Sequence, residues 1–426
     1  MTYTLIALAI LAAVSAVSWW PTSIIISIIA VVVAVALDYL LSLIMKDKGP
    51  VNTMSAAVFG LIVALSYSIG MPVMHSIEVL PLQAPDAYLY VGVISAVGMV
   101  LFKKLQGLSG RKYVNPAAAA KLLVMLPFFN TVLLAKDHLT SGIGLPSLVG
   151  PIGYTIIREN GLQSFATYMI SCFGNPSVPV PAVITPSDVF WVLIVQKFHG
   201  WIGGASSLAV IIIGIGLFVA CRKYIKWRIT TSYLATVALL AFILSFIYGD
   251  ADPLLRVVFH IFIGSSIFLA FFMATDPATT PLTYKGQMIF GIGLAILTVL
   301  IQTYMNFFGG SILALVIMNL TSPLLDKVGV LKPIEEKREV KLPRAKRFEK
   351  VKTTQCIRCG ACMVVCCHRL SPILIKEAFE KGDTDALKKL RTDLCDGCGN
   401  CSFVCPSRID LRAFTLRAKA SLRAAK

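Results

Sequence analysis

Nine cysteines lie between Cys356 and Cys405, and eight of them form two runs with the same C-x2-C-x2-C-x3-C spacing. This spacing is typical of bacterial proteins that hold two 4Fe-4S clusters, in which the fourth cysteine of each run binds the cluster of the other run. The predicted ligand sets are Cys356, Cys359, Cys362 and Cys405 for one cluster, and Cys395, Cys398, Cys401 and Cys366 for the other.

The same cysteines could instead form two zinc sites. Zinc sites usually combine two C-x2-C pairs, so two matching runs of four cysteines favour iron and sulfur. The ninth cysteine, Cys367, follows Cys366 directly, where the bacterial run has proline. Cys367 is either a thiol outside both ligand sets, which we favour, or an alternative ligand.

The chain as a whole is too apolar for a soluble enzyme. The protein has 426 residues, of which 57% are hydrophobic and 14% charged, whereas soluble domains carry about 25% charged residues. An apolar stretch of about 20 residues can cross a membrane as a helix. Ten such stretches are present, at 4–20, 22–45, 54–74, 87–102, 116–135, 204–221, 230–248, 253–275, 286–306 and 308–326. We therefore predict about ten transmembrane helices.

Lysine and arginine residues are concentrated in every second connection, after the second, fourth, sixth, eighth and tenth stretches. Connections rich in positive charge stay on the cytoplasmic side of a membrane. We therefore predict a multi-pass membrane protein with both termini in the cytoplasm. The connection 136–203 has few basic residues and is predicted to lie on the outer side.

The positive charge is concentrated near the end of the chain. The net charge is +17, and residues 327–426 contain 23 Lys and Arg against 11 Asp and Glu. This basic region follows apolar stretches and contains no module that reads bases. We therefore expect it to attract membrane lipid and acidic protein partners, and not nucleic acid.

Three parts of the chain are predicted. Residues 1–326 form a transmembrane domain, 327–355 a basic cytoplasmic linker, and 356–426 a small soluble domain. A domain of that size has little core of its own, so its metal clusters are expected to hold it together. Within it, 370–392 reads as two short helices separated by Gly382-Asp383. The predicted fold class is an all-α polytopic membrane protein with a small C-terminal ferredoxin-like α+β domain that binds both clusters.

Three stretches resemble two related integral membrane proteins, the D-type subunit of the Rnf ferredoxin:NAD+ oxidoreductase and the B-type subunit of the sodium-pumping NADH:quinone reductase. They are SGRKYVNPAAAAKLL (109–123), the segment 199–229 that begins HGWIGGASS, and the segment 271–302 that begins FFMATDPATTPLTYK. The cysteine region looks like the ferredoxin-like end of the peripheral C-type subunit of Rnf, as in CSFVCPSRIDLRAF. The chain therefore resembles a D-type subunit fused to a C-type cluster domain, which implies a location in the plasma membrane of a prokaryote.

The resemblance also implies FMN bound covalently to a threonine of an outer loop, in a motif close to Ser-Gly-Ala-Thr. Ser164-Phe165-Ala166-Thr167 is similar to that motif, with Phe165 in place of the glycine, and makes Thr167 the candidate acceptor. Thr140-Ser141-Gly142 is a weaker candidate because no threonine ends it. Alternatively, the segment around Thr167 is an ordinary outer-face helix without flavin.

Polar residues also interrupt two apolar stretches. Asp276-Pro277, followed by Thr279 and Thr280, either forms a turn that stops a helix or, as the resemblance implies, contacts a second, non-covalent flavin such as riboflavin. Asp38 lies late in the second stretch, where an ionisable group is costly unless paired or hydrated. Asp38 either takes part in cation passage or, as we favour, extends its carboxylate to the cytoplasmic membrane interface.

No pair of nucleophile and base suggests group transfer, so we expect electron transfer by cofactors, with no complete active site on this chain. The resemblance implies a subunit of an Rnf-like ion-translocating complex that relays electrons between a membrane flavin and a cytoplasmic partner through both clusters. The expected partners are other subunits of the complex and a soluble ferredoxin or nucleotide-linked reductase subunit. Two alternatives are the membrane anchor and iron–sulfur wire of a quinone-linked reductase without flavin or ion pumping, and an anchor without redox activity.

Overall fold

The computed structural model describes residues 1–44, 53–69, 86–106, 112–125, 188, 191–197, 200–222, 224–248, 253–264, 266–304, 310–329 and 353–424. Ser164, Thr167 and most of the predicted linker lie outside these residues, so the predictions for them remain predictions.

Apolar helices form the membrane part of the chain. Their bounds are α1 (Thr2–Ser18), α2 (Thr22–Ile44), α3 (Thr53–Leu65), α4 (Asp86–Val97), α5 (Pro116–Met125), α6 (Ser207–Ala220), α7 (Trp227–Tyr248), α8 (Pro253–Phe262), α9 (Ser266–Phe268), α10 (Tyr284–Tyr304) and α11 (Gly310–Leu325). Three π-helical segments are also described: Gly98–Leu105 continues α4, Leu269–Met273 continues α9, and Trp191–Val195 precedes α6. Such wider turns are uncommon and often mark functional sites.

Two short strands, β1 (Ser68–Ile69) and β2 (Gly200–Trp201), pair antiparallel with Ser68 opposite Trp201. β1 follows the end of α3, and β2 leads through a 3-10 turn at Ile202–Gly204 to α6. Trp201 is buried and meets Phe268 edge to face, with ring centroids 5.9 Å apart. The pairing satisfies backbone groups near a helix end, as an apolar environment requires.

Within the described ranges, four helices are long and apolar enough to cross a membrane, and a bent pair would add a fifth span. The four are Thr22–Ile44, Ala87–Leu105, Trp227–Ile247 and Tyr284–Thr303, and the bent pair is Arg256–Phe262 with Ser266–Met273. An apolar helix lies in each of the ten predicted stretches, but the count of ten spans is not confirmed. Several of these helices are short over the described residues; α3, for example, has 13 residues and gives way to β1.

Glycines allow neighbouring helices to approach closely. A Cβ atom on Gly60 of α3 would lie 2.8 Å from the carbonyl oxygen of Ala30 on α2. A Cβ atom on Gly291 of α10 would lie 2.0 Å from Ser232 Oγ on α7. Helix association in membranes depends on such close packing, because lipid tails are as apolar as the side chains. The pairs α2–α3 and α7–α10 are therefore held by backbone proximity.

We expect Gly60→Ala to destabilise the protein by about 1–3 kcal/mol, because the added methyl group forces α2 and α3 apart. Gly216→Ala is the matched control, since a Cβ atom on Gly216 would meet nothing within 4 Å. The control should be neutral or stabilising by up to about 1 kcal/mol through helix propensity. Thermal unfolding in detergent measures both, and equal stabilities for the two variants would contradict the packing argument.

Two buried lysines bind backbone carbonyls at helix ends. Lys197 Nζ donates to the carbonyls of Phe262 and Gly264 at the end of α8, and to Ser207 Oγ at 3.0 Å. Lys121 Nζ donates to the carbonyl of Ser66 just after α3 and lies 4.6 Å from the centre of the Trp201 ring. The carbonyl end of a helix carries partial negative charge and favours a cation. Both lysines therefore stabilise helices that end inside the apolar part.

Replacing Lys197 with methionine is expected to destabilise the protein by about 2–3 kcal/mol, because the buried carbonyls of α8 lose a charged donor. Lys327→Met is the control, since Lys327 also follows a helix end but is exposed. Circular dichroism during thermal unfolding would report the difference. An unchanged midpoint for Lys197→Met would show that the carbonyls find another donor.

The cysteine region forms a small helical domain. Its helices are α12 (Ala361–Val364), α13 (Pro372–Glu380), α14 (Thr384–Lys389), α15 (Asn400–Phe403) and α16 (Leu411–Ala424), with a 3-10 turn at Thr392–Leu394. Helix α13 packs against α16, and buried residues such as Ile375, Ala378 and Ala418 form a core between the elements. The two predicted helices of 370–392 are confirmed as α13 and α14, separated by Gly382 with φ 69° and by Asp383, whose carboxylate accepts from Ala386 N–H.

The expected α+β character of this domain is not confirmed, because over residues 353–424 the structure describes helices and turns and no strand. Thr354 N–H donates to the Ser407 carbonyl at 3.0 Å, which is a single rung of backbone pairing. Left-handed residues follow at Arg358 and Arg408. Because strands need extended backbone with negative φ, these cysteine turns prevent the pairing from extending.

Candidate functional site

The two cysteine runs follow the same backbone path. Each cysteine of the second run lies 39 positions after its counterpart in the first, as positions 356 and 395 illustrate. Left-handed residues recur at the same offset, with φ of 77° and 81° at Gly360 and Gly399, and of 55° and 54° at Arg369 and Arg408. Glycine adopts this conformation at little cost, so Gly360 and Gly399 are suited to the equivalent turns.

The repeated turns direct backbone N–H groups at cysteine sulfurs. Four such hydrogen bonds, 3.3 to 3.4 Å long, run from Arg358 to Cys356, from Gly397 to Cys395, from Leu370 to Cys366 and from Ile409 to Cys405. Hydrogen bonds to sulfur favour the thiolate form and tune the reduction potential of a bound cluster. The local fold is therefore suited to hold thiolates.

The four cysteines predicted to hold the first cluster surround one cavity. It is lined by Cys356, Cys359, Cys362 and Cys405 together with apolar residues such as Ile373 and Leu411. Cys405 belongs to the second run, so the structure brings the fourth cysteine across to the other run, in the arrangement typical of two-cluster proteins.

The other four cysteines also lie near one another. Burial, with the charges of Cys395, Cys366 and Cys398, raises the pKa of Cys401 to about 12. Burial likewise raises the pKa of Cys366, with Cys395 and Cys398 contributing. Cys366 of the first run is therefore grouped with three cysteines of the second run.

The chemistry of these thiols fits a bound cation. Burial is the main cause that raises the pKa of Cys356, Cys359 and Cys362 above that of a free thiol. A thiol buried in this way is protonated and inert at neutral pH unless a cation compensates the thiolate. Iron would supply that charge, and its binding would contribute to folding.

Within the described ranges, no three His, Cys, Asp or Glu side chains come together closely enough to hold a single metal ion. A zinc site needs four donors at about 2.0–2.3 Å from one point. The four cysteines around the cavity instead leave space between them, which suits a larger group.

Cys367 lies beside the second set. Its sulfur is 3.9 Å from Cys398 Sγ, and burial together with the charge of Cys398 raises the pKa of Cys367 to about 11. The neighbouring His368 bonds through Nε2 to the carboxylate of Asp396 in the second run. The bond between His368 and Asp396 thus joins the two runs. Both roles proposed for Cys367 from the sequence stay open.

The Asp276 turn is closed by its own side chains. The carboxylate of Asp276 accepts hydrogen bonds from Ala278 N–H and from Thr279 Oγ1, each 3.2 Å long. Thr280 Oγ1 donates to the Asp276 carbonyl at 2.6 Å, and both threonines are buried. This is the geometry expected of a turn that stops a helix. A contact of Asp276, Thr279 or Thr280 with a flavin stays a prediction.

Lys226 fixes this turn to the loop between α6 and α7. Its ammonium donates to the carbonyls of Pro277 and Thr280, each at 2.9 Å, and lies 3.0 Å from Thr280 Oγ1. Burial, and secondarily the positive charge of Arg358, lowers the pKa of Lys226 to about 7. The negative charge of the nearby Cys359 thiolate acts to raise this pKa. The turn and the first cysteine run are therefore close to each other.

Among the described residues, basic residues from the connections after the fourth and sixth stretches lie near the Asp276 turn. Lys104, after the fourth stretch, forms a 2.9 Å salt bridge with the buried Asp38 at the end of the second. Burial lowers the pKa of Lys112, and the negative charges of the nearby Asp276 and Asp38 act in the opposite direction. Lys226, after the sixth stretch, lies beside the first cysteine run. Asp38 is therefore paired, which is how a buried carboxylate avoids a large cost.

Two residues important for this arrangement were not singled out from the sequence. Lys226 was recognised only as part of a basic connection. Arg358 occupies the position equivalent to Gly397 and has φ 53°, a conformation that costs a non-glycine residue about 1–2 kcal/mol. Comparison of the two runs at their offset of 39 positions would have revealed an arginine where the repeat has glycine.

The sequence profile of the NQR2, RnfD, RnfE family matches residues 1–335 of this chain. The chain belongs to this family. The matched region contains α1–α11, Lys226 and the Asp276 turn. It ends before Cys356, so the cysteine runs lie outside the part that defines the NQR2, RnfD, RnfE family.

Relatives within the family are subunits of ion-translocating oxidoreductase complexes. The D-type subunit of the Na(+)-translocating ferredoxin:NAD(+) oxidoreductase complex of Acetobacterium woodii is 28% identical over 300 residues, which cover 70% of this chain and 78% of the relative. The D-type subunit of the proton-translocating ferredoxin:NAD(+) oxidoreductase complex of Clostridium ljungdahlii is 26% identical over 302 residues, covering 70% and 80%. The B-type subunit of the Na(+)-translocating NADH-quinone reductase of Stutzerimonas stutzeri is 28% identical over 256 residues, covering 58% and 56%.

Proposed function

We propose that this chain is an electron-transferring membrane subunit of an Rnf-like ion-translocating oxidoreductase complex. Its family membership and the relatives support the general role. The observation that carries the specific proposal is the cavity of four cysteines drawn from both runs, Cys356, Cys359, Cys362 and Cys405. We assign a 4Fe-4S cluster to this cavity and a second to Cys366, Cys395, Cys398 and Cys401.

The resemblance of the cysteine region to the C-type subunit of Rnf supports a fusion of two neighbouring subunits into one chain. The fused domain would serve as a one-electron relay, because iron–sulfur clusters change charge by one electron at a time. A soluble ferredoxin or a nucleotide-linked reductase subunit would be the cytoplasmic partner. The excess of Lys and Arg in residues 327–426 favours an acidic partner surface.

In the membrane part we propose FMN bound covalently to Thr167, with Ser164 in its motif, and a second, non-covalent flavin such as riboflavin near Asp276, Thr279 and Thr280. The flavins would supply the carriers within the membrane, where about 30 Å of hydrocarbon must be crossed. Moving one charge across this distance corresponds to about 2.3 kcal/mol per 100 mV of membrane potential. Electron flow could thus be coupled to Na+ or H+ movement.

The proposal is tested on the intact complex purified from a host that attaches flavin to its own proteins. We expect about eight iron atoms per chain, electron paramagnetic resonance signals of two reduced 4Fe-4S clusters, and ion uptake into vesicles driven by ferredoxin oxidation. Zinc in place of iron, or no metal, would overturn the relay and favour an anchor without redox activity. Two clusters without flavin or ion uptake would favour a quinone-linked reductase.

A further inference from the structure

The first cysteine run contacts the membrane part of the chain. Leu282, which follows the Asp276 turn, is 3% exposed and packs in one apolar cluster with Cys362, Ile373 and Leu411. The backbone is equally close, since a Cβ atom on Gly360 would lie 3.7 Å from the Leu282 carbonyl oxygen. The loop Cys356–Cys362 therefore lies directly against the segment that leads into α10.

An ion-pair network ties this contact together. The guanidinium of Arg358 donates to Asp326 Oδ2 at 2.8 Å and also bonds to the carboxylate of Glu377 on α13. Asp326 directly follows α11, and its other oxygen accepts from Leu282 N–H at 2.8 Å. Arg358 and Asp326 are each 4% exposed. One carboxylate thus links the end of the last membrane helix, the Leu282 segment and the first cysteine loop.

The second run has no counterpart to this network among the described residues. Its equivalent of Arg358 is Gly397, where a Cβ atom would meet side-chain atoms of Leu416 in the same domain. Asp396 bonds to His368, which is also within the domain. Arg358, the residue at which the first run differs from the glycine of the second, is therefore the one that reaches the membrane part.

We propose that Arg358 is a positioning residue that, with Asp326 and Glu377, clamps the first cysteine loop to the membrane part. The clamp makes the cluster of Cys356, Cys359, Cys362 and Cys405 the membrane-proximal carrier and leaves the other cluster for the soluble partner. Each hop moves one electron, oxidising one carrier as the next is reduced. The order of carriers rests on the proposed function, whereas the clamp itself does not.

The test compares three variants of the full chain in the purified complex. Arg358→Gly removes the clamp and places glycine where the second run has it, and Asp326→Asn weakens the clamp from the membrane side. Arg408→Gly is the matched control, because Arg408 is also an arginine with positive φ near a cysteine of the first set but is exposed. Hydrogen–deuterium exchange, iron content and the rate of electron transfer from clusters to flavin are measured.

We expect Arg358→Gly and Asp326→Asn to raise amide exchange at Leu282 and in 358–362 about tenfold. In the wild type, local opening must break the ion pair, whereas in these variants it does not, so opening costs less free energy. Iron content should stay at the wild-type level, while electron transfer from clusters to flavin slows about tenfold through misplacement of the carrier. Arg408→Gly should match the wild type in all three measurements.

If amide exchange at Leu282 in Arg358→Gly were as slow as in the wild type, the clamp would be overturned. Loss of iron from Arg358→Gly with unchanged exchange at Leu282 would also overturn it, because Arg358 would then serve cluster assembly. The exchange measurement needs neither flavin nor electron flow. A wild-type complex that lacks electron transfer between clusters and flavin would therefore refute the proposed function, while exchange would still decide the clamp.

Discussion

Replacing Cys405 with serine is expected to abolish the cluster assigned to Cys356, Cys359 and Cys362, although Cys405 itself belongs to the second cysteine run. The reason is that Cys405 lines the same cavity as Cys356, Cys359 and Cys362. Iron should fall from about eight to about four atoms per chain. Electron paramagnetic resonance of the reduced protein should then show only the cluster bound by the other set.

Two further variants make this result specific. The spectrum left in Cys405→Ser should match that of Cys359→Ser and differ from that of Cys398→Ser. Cys221→Ser is the control and should keep both clusters, since Cys221 lies at the end of α6, outside the cysteine region. If Cys405→Ser instead matched Cys398→Ser, each run would hold its own cluster and the crossed assignment would be wrong.

Thr167→Ala is expected to remove all covalently bound flavin, because a phosphoester bond needs the threonine hydroxyl. The measurement is fluorescence of the denatured chain in a gel under ultraviolet light, after production in a host that attaches flavin. The wild type should show a fluorescent band, and Thr167→Ala should show none. Iron content should be the same in both, since Thr167 is far in sequence from the cysteine runs.

Thr140→Ala is the matched control for this experiment, because Thr140 lies in the weaker motif of the same connection. It should keep the fluorescent band at full intensity. Loss of the band in Thr140→Ala but not in Thr167→Ala would move the flavin to the other threonine. A wild-type chain without fluorescence would remove FMN from the proposal and favour the quinone-linked alternative.

Much of the local structure could be predicted from the sequence. Apolar runs locate helices because a buried backbone must satisfy its own hydrogen bonds, and a helix is described within each of the ten predicted stretches. Gly382-Asp383 predicts the break between α13 and α14, since glycine permits the left-handed turn and aspartate caps the next helix. The spacing of the cysteines predicts which thiols share a site, and the cavity has that composition.

The extent of the spans and the closure of the Asp276 turn could not be predicted in the same way. Hydropathy extends the third stretch to residue 74, whereas α3 ends at Leu65 and the following Ser68–Ile69 pairs with β2. Asp276, Thr279 and Thr280 have the polar groups to bind a ligand. Only the structure shows that these groups bond to one another and to Lys226.

The sequence by itself determined the class of the protein and the locations of its helices, because each depends on spacing along the chain or on local backbone preference. The tertiary structure alone decided that Lys226 binds the Asp276 turn and that Arg358 bonds to Asp326. These partners are separated by many residues, and no local pattern encodes which buried charge will meet which. Their pairing follows from the need to neutralise charges where the cluster domain and the membrane part exclude water.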